Sequence, residues 1–585
     1  MRLSGLSSGL DIDQMMKDLM RAERMPVNKL EKQRTELGWK MDAYREINVK
    51  MQALHSSIFD TLMRSSVMKK RTVASSDPNI ATATASSSLG NANYTLNEVK
   101  QLATAATAKG KELKGINENS SLSELGISSG SKIEEGWVTG KLVRETAEFK
   151  EGKAQLKEKP EFAHDEQLLL INGKTYQVVD ADKETIESNQ VKINENGEMT
   201  FAEGVKLPAR LQVEYIQEDS TSKERYTKST VSTVNAQGET TESSFFFKDT
   251  DKISTVITQM RSADAGVNVF FDEFNQSFVV SKQETGQSAN NMGDLFFEGH
   301  LFNQTLGLNE NVIEGKNAIF TVNGVETQRA SNTFNLSGMT ITLKNESTQP
   351  ISLNATTNVE DIFDTVLAFV EEYNELVDFV NGKLGEPYYR DYDPLTTEER
   401  DSLSDIEAER WEEKAQSGLL RNDVMLQGTF NQMRQSLYQT INSNGTIGHL
   451  VDIGITTSKD YMDGGKLEVN ADKLRQAIEE DVDGVFSLFN GSDGNPGLAQ
   501  NLRTNLQQGM SSIARRAGGS EGYHEQHQFA IGQQTKAIDD RISDFERRLE
   551  QKEARYWRQF TAMERAMQMA NQQSESLFNL LYGNN

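Results

Sequence analysis

Residues 533–582 read QQTKAIDDRISDFERRLEQKEARYWRQFTAMERAMQMANQQSESLFNLLY, a stretch with neither Gly nor Pro. Its apolar positions step by four and three: Ile538, Ile542, Phe545, Leu549, Tyr556, Phe560, Met563, Met567, Ala570, Leu577 and Leu581. As a helix it reaches about 75 Å. A repeat near 3.5 residues held this long predicts a partner helix. The other end of the chain repeats the pattern after Pro26, with Val27, Leu30, Leu37, Met41, Tyr44, Met51, Ile58 and Leu62. Polar residues break both seams: Arg34, Asn48 and His55 in the first, Lys552, Gln559 and Ser574 in the second. Breaks of this kind select register and partner. The two terminal helices are therefore expected to pack together, within one chain or between chains, with the rest inserted between them. That plan points to an assembly subunit. Isolated helices are marginal in water, so the ends are expected to order only on assembly.

The chain has 585 residues, enough for three to five domains. Its net charge is −25, yet residues 1–71 hold 14 Lys and Arg against 9 Asp and Glu. An acidic body resists nucleic acid and anionic membranes. The absence of cysteine excludes disulfides, thiolate metal sites and cysteine nucleophiles. The opening MRLSGLSSGLDIDQMM lacks the pattern of a cleaved signal, and no apolar run is long enough for a membrane span.

Along the chain, Asp11 or Asp13 is expected to cap a short helix that Pro26 breaks or restarts. At Thr72 small β-formers replace the heptads. Asn172-Gly173 and Asn323-Gly324 each sit between apolar runs, the signal of a type I′ hairpin. The segments LLLINGKTYQ and FTVNGVETQ align loosely, as a duplication or as convergence on Asn-Gly. From Val359, a helical stripe places Ile362, Val366, Phe369, Val370, Tyr373, Val377 and Val380 on one face, which reads as core. An acidic loop is expected over 388–415, and helices again at Asp423–Ile441, Ala471–Phe489 and Leu498–Ile513. A small strand pair is expected around Asp463-Gly464-Gly465.

Chemical motifs are weak. Gly5-Leu6-Ser7-Ser8-Gly9 matches the hydrolase elbow, but only four residues precede it where a buried strand is required, so a flexible terminus is the plainer reading. His524 and His527 lack further metal ligands, and Asp391, Asp393, Glu398 and Glu399 lack the glycine and bidentate Glu of a calcium loop. His55 reads as an interface histidine or a pH-sensitive contact. Asn275 and Asn444 matter only if a host glycosylates them. No catalytic, metal or cofactor site is assigned, and a non-enzymatic role is expected.

Four segments carry a resemblance. GLSSGLDIDQMMKDLMRAERMPVNKL resembles the opening of the flagellar filament-capping proteins, the hook-associated protein 2 family. SSDPNIATATA with NYTLNEVKQLATA resembles the family's entry into its β domains. FTVNGVETQRASNTF is similar to a hairpin shared with flagellins. The stretch carrying Pro394, Leu395, Thr396, Trp411, Glu412, Gly418, Leu419 and Leu420 resembles a further family motif. Residues 110–300 resemble nothing placed.

The resemblance implies an α+β multidomain fold. Residues 1–38 and 533–585 would form a helical leg (D0), and 39–71 and 356–532 a helical bundle (D1). Residues 72–107 and 296–355 would form one β-rich head domain (D2), and 108–295 a variable one (D3). It implies a ring of copies, most often five, on the distal filament end, blocking flagellin leakage and aiding its folding. Partners would be sister subunits, flagellin, the hook–filament junction protein and an export chaperone at the C-terminal helix. Export would use the flagellar type III channel. Alternatives are a tip adhesin binding host glycan or mucin through the variable head, and a junction or flagellin-like subunit. The contact residues expected from the seams are Val27, Leu30, Leu37, Met41, Tyr44, Met51, Ile538, Ile542, Phe545, Leu549, Tyr556, Phe560, Met563, Met567, Leu577 and Leu581.

Overall fold

The structure, a computed structural model, describes residues 11–125, 136–163, 168–180, 182–289, 292–441, 447–460, 463–492, 494–519 and 524–582, with side chains to 578. Helix and sheet segregate into two compact units. One is Met1–Arg71 with Thr357–Asn585, the other Thr72–Thr356.

The first unit is helical. Its N-terminal helix spans Ile12–Asp60, capped by Asp11, whose Oδ1 accepts the Gln14 N–H at 2.9 Å. Pro26 lies inside this helix rather than ending it, contrary to the sequence reading. The missing N–H costs a helical bond. Apolar side chains buried on both sides of it, Met16, Val27 and Leu30, hold the helical path.

Further on, Tyr44, Ile47, Met51, Leu54 and Ile58 enter one large core with the helices Val359–Gly385, Val424–Leu437 and Leu498–Ala517. All seven apolar positions read from Ile362 to Val380 are buried there. Each such side chain contributes about 1.5–3 kcal/mol relative to exposure. The helices approach closely at Gly509, where a Cβ would sit 2.4 Å from Thr429 Cγ2 and 2.7 Å from Met51 Cε.

The helix Val359–Gly385 also carries a polar stripe that docks a small hairpin, Ile455–Thr457 with Leu467–Val469. Asn374 acts as a surrogate strand residue: its Nδ2 donates to Leu467 O at 2.8 Å and its Oδ1 accepts Leu467 N–H at 2.7 Å. One turn on, Asp378 pairs with Lys466 at 2.7 Å.

The acidic stretch is not a loop. Helices Thr397–Asp401 and Asp405–Gln416 form within it, each opened by a capping box, Thr396 with Glu399 and Ser404 with Glu407. The T-x-x-E and S-x-x-E spacing was the available signal. The expected helix Ala471–Phe489 is two, Ala471–Glu480 and Val482–Asn490, because the Asp481 carboxylate accepts the Gly484 N–H and starts the second.

The second unit is built of strands around three principal cores. A five-stranded sheet ordered 71–75, 351–357, 92–101, 318–322, 325–329 shares a core with the three-stranded sheet 81–85, 339–343, 333–336. Two four-stranded sheets and the helix Ile253–Ser262 enclose a Phe-rich core that includes Phe245, Phe247, Phe297 and Phe302. Residues 141–217 close into a seven-stranded barrel with its own interior, sealed by the parallel pair Gln190–Ile193 and Lys174–Val179. The sequence reading divides this unit in two and places 296–313 with the five- and three-stranded sheets. Leu301, Phe302, Leu306 and Leu308 instead pack in the Phe-rich core.

Both Asn-Gly hairpins form, with positive φ at Asn172, Gly173, Asn323 and Gly324. They share more than the turn. Asn172 donates its N–H to Gln212 O and accepts Gln212 N–H on Oδ1, both at 2.8 Å. Asn323 does the same with Thr95, at 2.8 and 2.9 Å. Each turn asparagine thus extends its hairpin onto a third strand.

Candidate functional site

The terminal helices meet within one chain. The C-terminal helix spans Ala530–Tyr582, and Ile542 and Leu549 on it bury Val27 and Leu30, flanked by half-buried Met20, Ile538 and Phe545. Ion pairs set an antiparallel register. Arg34 Nε lies 3.1 Å from Asp539 Oδ1, and further along Lys552 donates to Glu23 while Tyr556 Oη donates to Glu23 Oε1 at 3.0 Å. The Lys552 hydrogen bond, then that from Tyr556, holds the Glu23 carboxyl below its ordinary range. Arg34 and Lys552 are two of the seam's polar breaks, here serving as register marks.

The N-terminal seam serves two environments. Val27 and Leu30 face the C-terminal helix, Leu37 and Met41 are half-buried at the edge of the bundle, and Tyr44 and Met51 are fully inside it. Tyr44 Oη donates to Asp423, whose carboxylate also caps the helix Val424–Leu437 by accepting Met425 and Leu426 N–H at 3.1 Å. Burial, then Asp423, pushes the Tyr44 phenol up. Arg45 Nε donates to Ala517 O at 3.0 Å, and Lys32 reaches Glu399 at 2.9 Å.

The C-terminal seam grades outward. Tyr556, Phe560 and Met563 are half-buried, and Ile12 shares a groove with Trp557, Phe560 and Thr561. Past that level the helix continues for about 20 residues, roughly 30 Å. Met567, Met569, Leu577 and Phe578 are exposed there, and the Leu581 side chain lies outside the described residues.

The minor motifs are placed as follows. His527 Nδ1 is 3.2 Å from Glu525 on an exposed 3-10 turn, Gln526–Gln528. The backbone carbonyl of His55 accepts Arg503 Nε at 3.2 Å. Asn275 sits in a turn and donates to Asp272. Asp393 O accepts the Trp411 indole N–H. Gly5–Gly9 and Asn444 lie outside the described residues. Among the described residues no group of three or more His, Asp or Glu is placed to hold a metal, and no helix is long and apolar enough to cross a membrane.

Residues 8–106 match the family model of the flagellar hook-associated protein 2 N-terminus, and 315–572 that of its C-terminus. Flagellar hook-associated protein 2 of Halalkalibacterium halodurans is 31% identical over 614 residues, covering 99% of each chain. The chain belongs to the flagellar hook-associated protein 2 family. A relative of the same name in Thermotoga maritima is 23% identical over 100% of this chain and 96% of its own. The D1-D2-D3 domains of the flagellar cap protein FliD from Escherichia coli overlay with a TM-score of 0.49 at 17% identity, over 85% of this chain and 99% of that one. The two matched segments contain the arm of paired helices, most of the bundle and the five- and three-stranded sheets. The stretch between them, 107–314, contains the barrel and nearly all of the Phe-rich core.

Proposed function

We propose that this chain caps the distal end of a bacterial flagellar filament as a ring of identical subunits, most simply five. In this reading the ring retains exported flagellin, promotes its folding and polymerisation, and is needed for motility. The observation that carries it is the arm, a pair of terminal helices marked for register by ions and ending in about 30 Å of helix with exposed Met and Leu side chains. Family membership over the whole chain supports the same reading. An arm of modest cross-section can bend and re-pack, and Met adapts to changing neighbours. The exposed end is the segment for sister subunits and flagellin, and for an export chaperone before assembly. The hook–filament junction protein is the surface on which the first ring would stand.

The proposed domains are D0 at 1–38 and 533–585, D1 at 39–71 and 356–532, D2 at 72–107 with the five- and three-stranded sheets to 355, and D3 between. The D2 boundary is moved from 296 to about 314, where packing changes core. Localisation at the filament tip after type III export follows from the same reading. A strain lacking this chain should release flagellin monomers into the medium and build no filaments. Normal filaments in that strain would overturn the proposal. Particle images of the purified protein should show a closed ring.

A further inference from the structure

The chain crosses between the core of the five- and three-stranded sheets and the Phe-rich core at two links between strands, and a third segment reaches across. Ala103 packs in one core and Ala106 in the other. Val312 and Ala318 mark the return. The crossing links meet in a single antiparallel bridge between Thr104 and Lys316. The loop after Thr285 packs into this crossing so tightly that a Cβ on Gly286 would sit 2.5 Å from Ala330.

A charged cluster sits at this crossing. Asp294 is fully buried. Its Oδ1 accepts Ser288 N–H at 2.6 Å, from the loop, and its Oδ2 accepts Gly315 N–H at 2.8 Å, from the returning link. Its backbone N–H donates to Glu314 Oε2 at 2.9 Å, and its carbonyl accepts Val234 N–H at 3.1 Å. Lys282, 4% exposed, stands 3.7 Å from the same carboxylate and donates to Val234 O. Glu314 alone reaches solvent. One buried carboxylate thus ties together segments that belong to different cores, and its neighbouring acid is the group that protons can reach.

We propose that Glu314, Asp294 and Lys282 form a proton-operated clasp that sets how firmly the two cores are joined. With Glu314 protonated, its O–H donates to the Asp294 carboxylate and the cluster is neutral, Lys282 balancing Asp294. Ionised, Glu314 places a second negative charge against a carboxylate that cannot be solvated. Partial desolvation and then the side-chain hydrogen bond to Asp294 raise the Glu314 carboxyl above its ordinary range, outweighing the Asp294 backbone N–H and the Lys282 charge, which favour the ionised form. A carboxyl raised in the folded state stabilises most below its unfolded value, and the contribution is lost as pH climbs through the folded one. The joint therefore tightens in acid and loosens toward neutrality.

Hydrogen exchange of the full chain, corrected for intrinsic pH dependence, tests this. Amides of Ser288 and Gly315 should gain protection several-fold as pH falls from 8 to 4, while the strand Met339–Leu343 reports on overall folding and stays constant. Glu314→Gln should hold high protection at every pH, and Glu314→Ala low protection at every pH. A flat or reversed response in the unmodified chain, or a response that survives Glu314→Gln, overturns the clasp.

Discussion

From Ile12 to Arg34 the N-terminal helix is flanked mainly by one other helix; from Tyr44 to Ile58 it is surrounded by several. The apolar spacing is much the same in both halves, yet Val27 and Leu30 belong to a cluster of a few side chains while Ile47 and Met51 belong to a core drawn from the whole bundle. A seam repeat thus specifies that a face will be covered, and the number of neighbours decides how cooperatively. Opening of the arm need break only its own small cluster, whereas opening of the bundle half disturbs every helix around it. A structure with these two regimes on one continuous helix is suited to an arm that shifts on a fixed base.

The strongest test contrasts the halves directly. Met51→Ala should cost about 2–5 kcal/mol and lower the main thermal transition of the full chain, because the cavity opens in the bundle core. Leu30→Ala should leave that transition in place and act locally, speeding proteolytic cleavage within the terminal helices. Equal shifts of the main melt by both substitutions would show that arm and bundle unfold as one, and would remove the basis of the comparison.

Two glycines sharpen it at smaller scale. Gly509→Ala pushes a methyl into Thr429 and Met51 and should cost about 1–3 kcal/mol of bundle stability. Gly38, where the helix passes from arm to bundle, has nothing within 4 Å of an added Cβ. Gly38→Ala should therefore stabilise by about 0.5–1 kcal/mol through helix propensity alone. Denaturant titration would separate the two signs, and a destabilising Gly38→Ala would reveal crowding at the passage.

Much of the fold was legible because its signals are local. Heptad steps marked both terminal helices, the Ile362–Val380 stripe marked a core face, and Asn-Gly marked two hairpins. The partner of a seam is not a local property, so nothing in the spacing separates Leu30 from Met51. Pro26 misled for the same reason, since tertiary burial outweighed a missing hydrogen bond. The barrel was invisible because closure depends on pairing Gln190–Ile193 beside Lys174–Val179, a parallel match that no turn residue announces. The two capped helices from Thr397 to Gln416 were readable and overlooked: acidic composition suggested a solvated loop, while Thr396, Glu399, Ser404 and Glu407 stood at capping-box spacing.

The smallest effect expected is a pH dependence of the arm. Glu23 is held below its ordinary range chiefly by Lys552 and then Tyr556, so its contribution is present above the unfolded carboxyl value and lost as pH falls through the folded one. Acid should loosen the arm where Glu23 meets Lys552 and Tyr556. Proteolysis with an acid-active enzyme between pH 5 and 3 would follow cleavage near residue 23 and near 552. Glu23→Gln should flatten the profile, since an amide does not titrate, and leave the main melt where it was. Because the pair is only partly buried, salt should weaken the effect. A profile insensitive to both salt and Glu23→Gln would assign arm register to the apolar contacts of Val27, Leu30, Ile542 and Leu549 alone, and would reduce the ion pairs to passengers on a seam already fixed by shape.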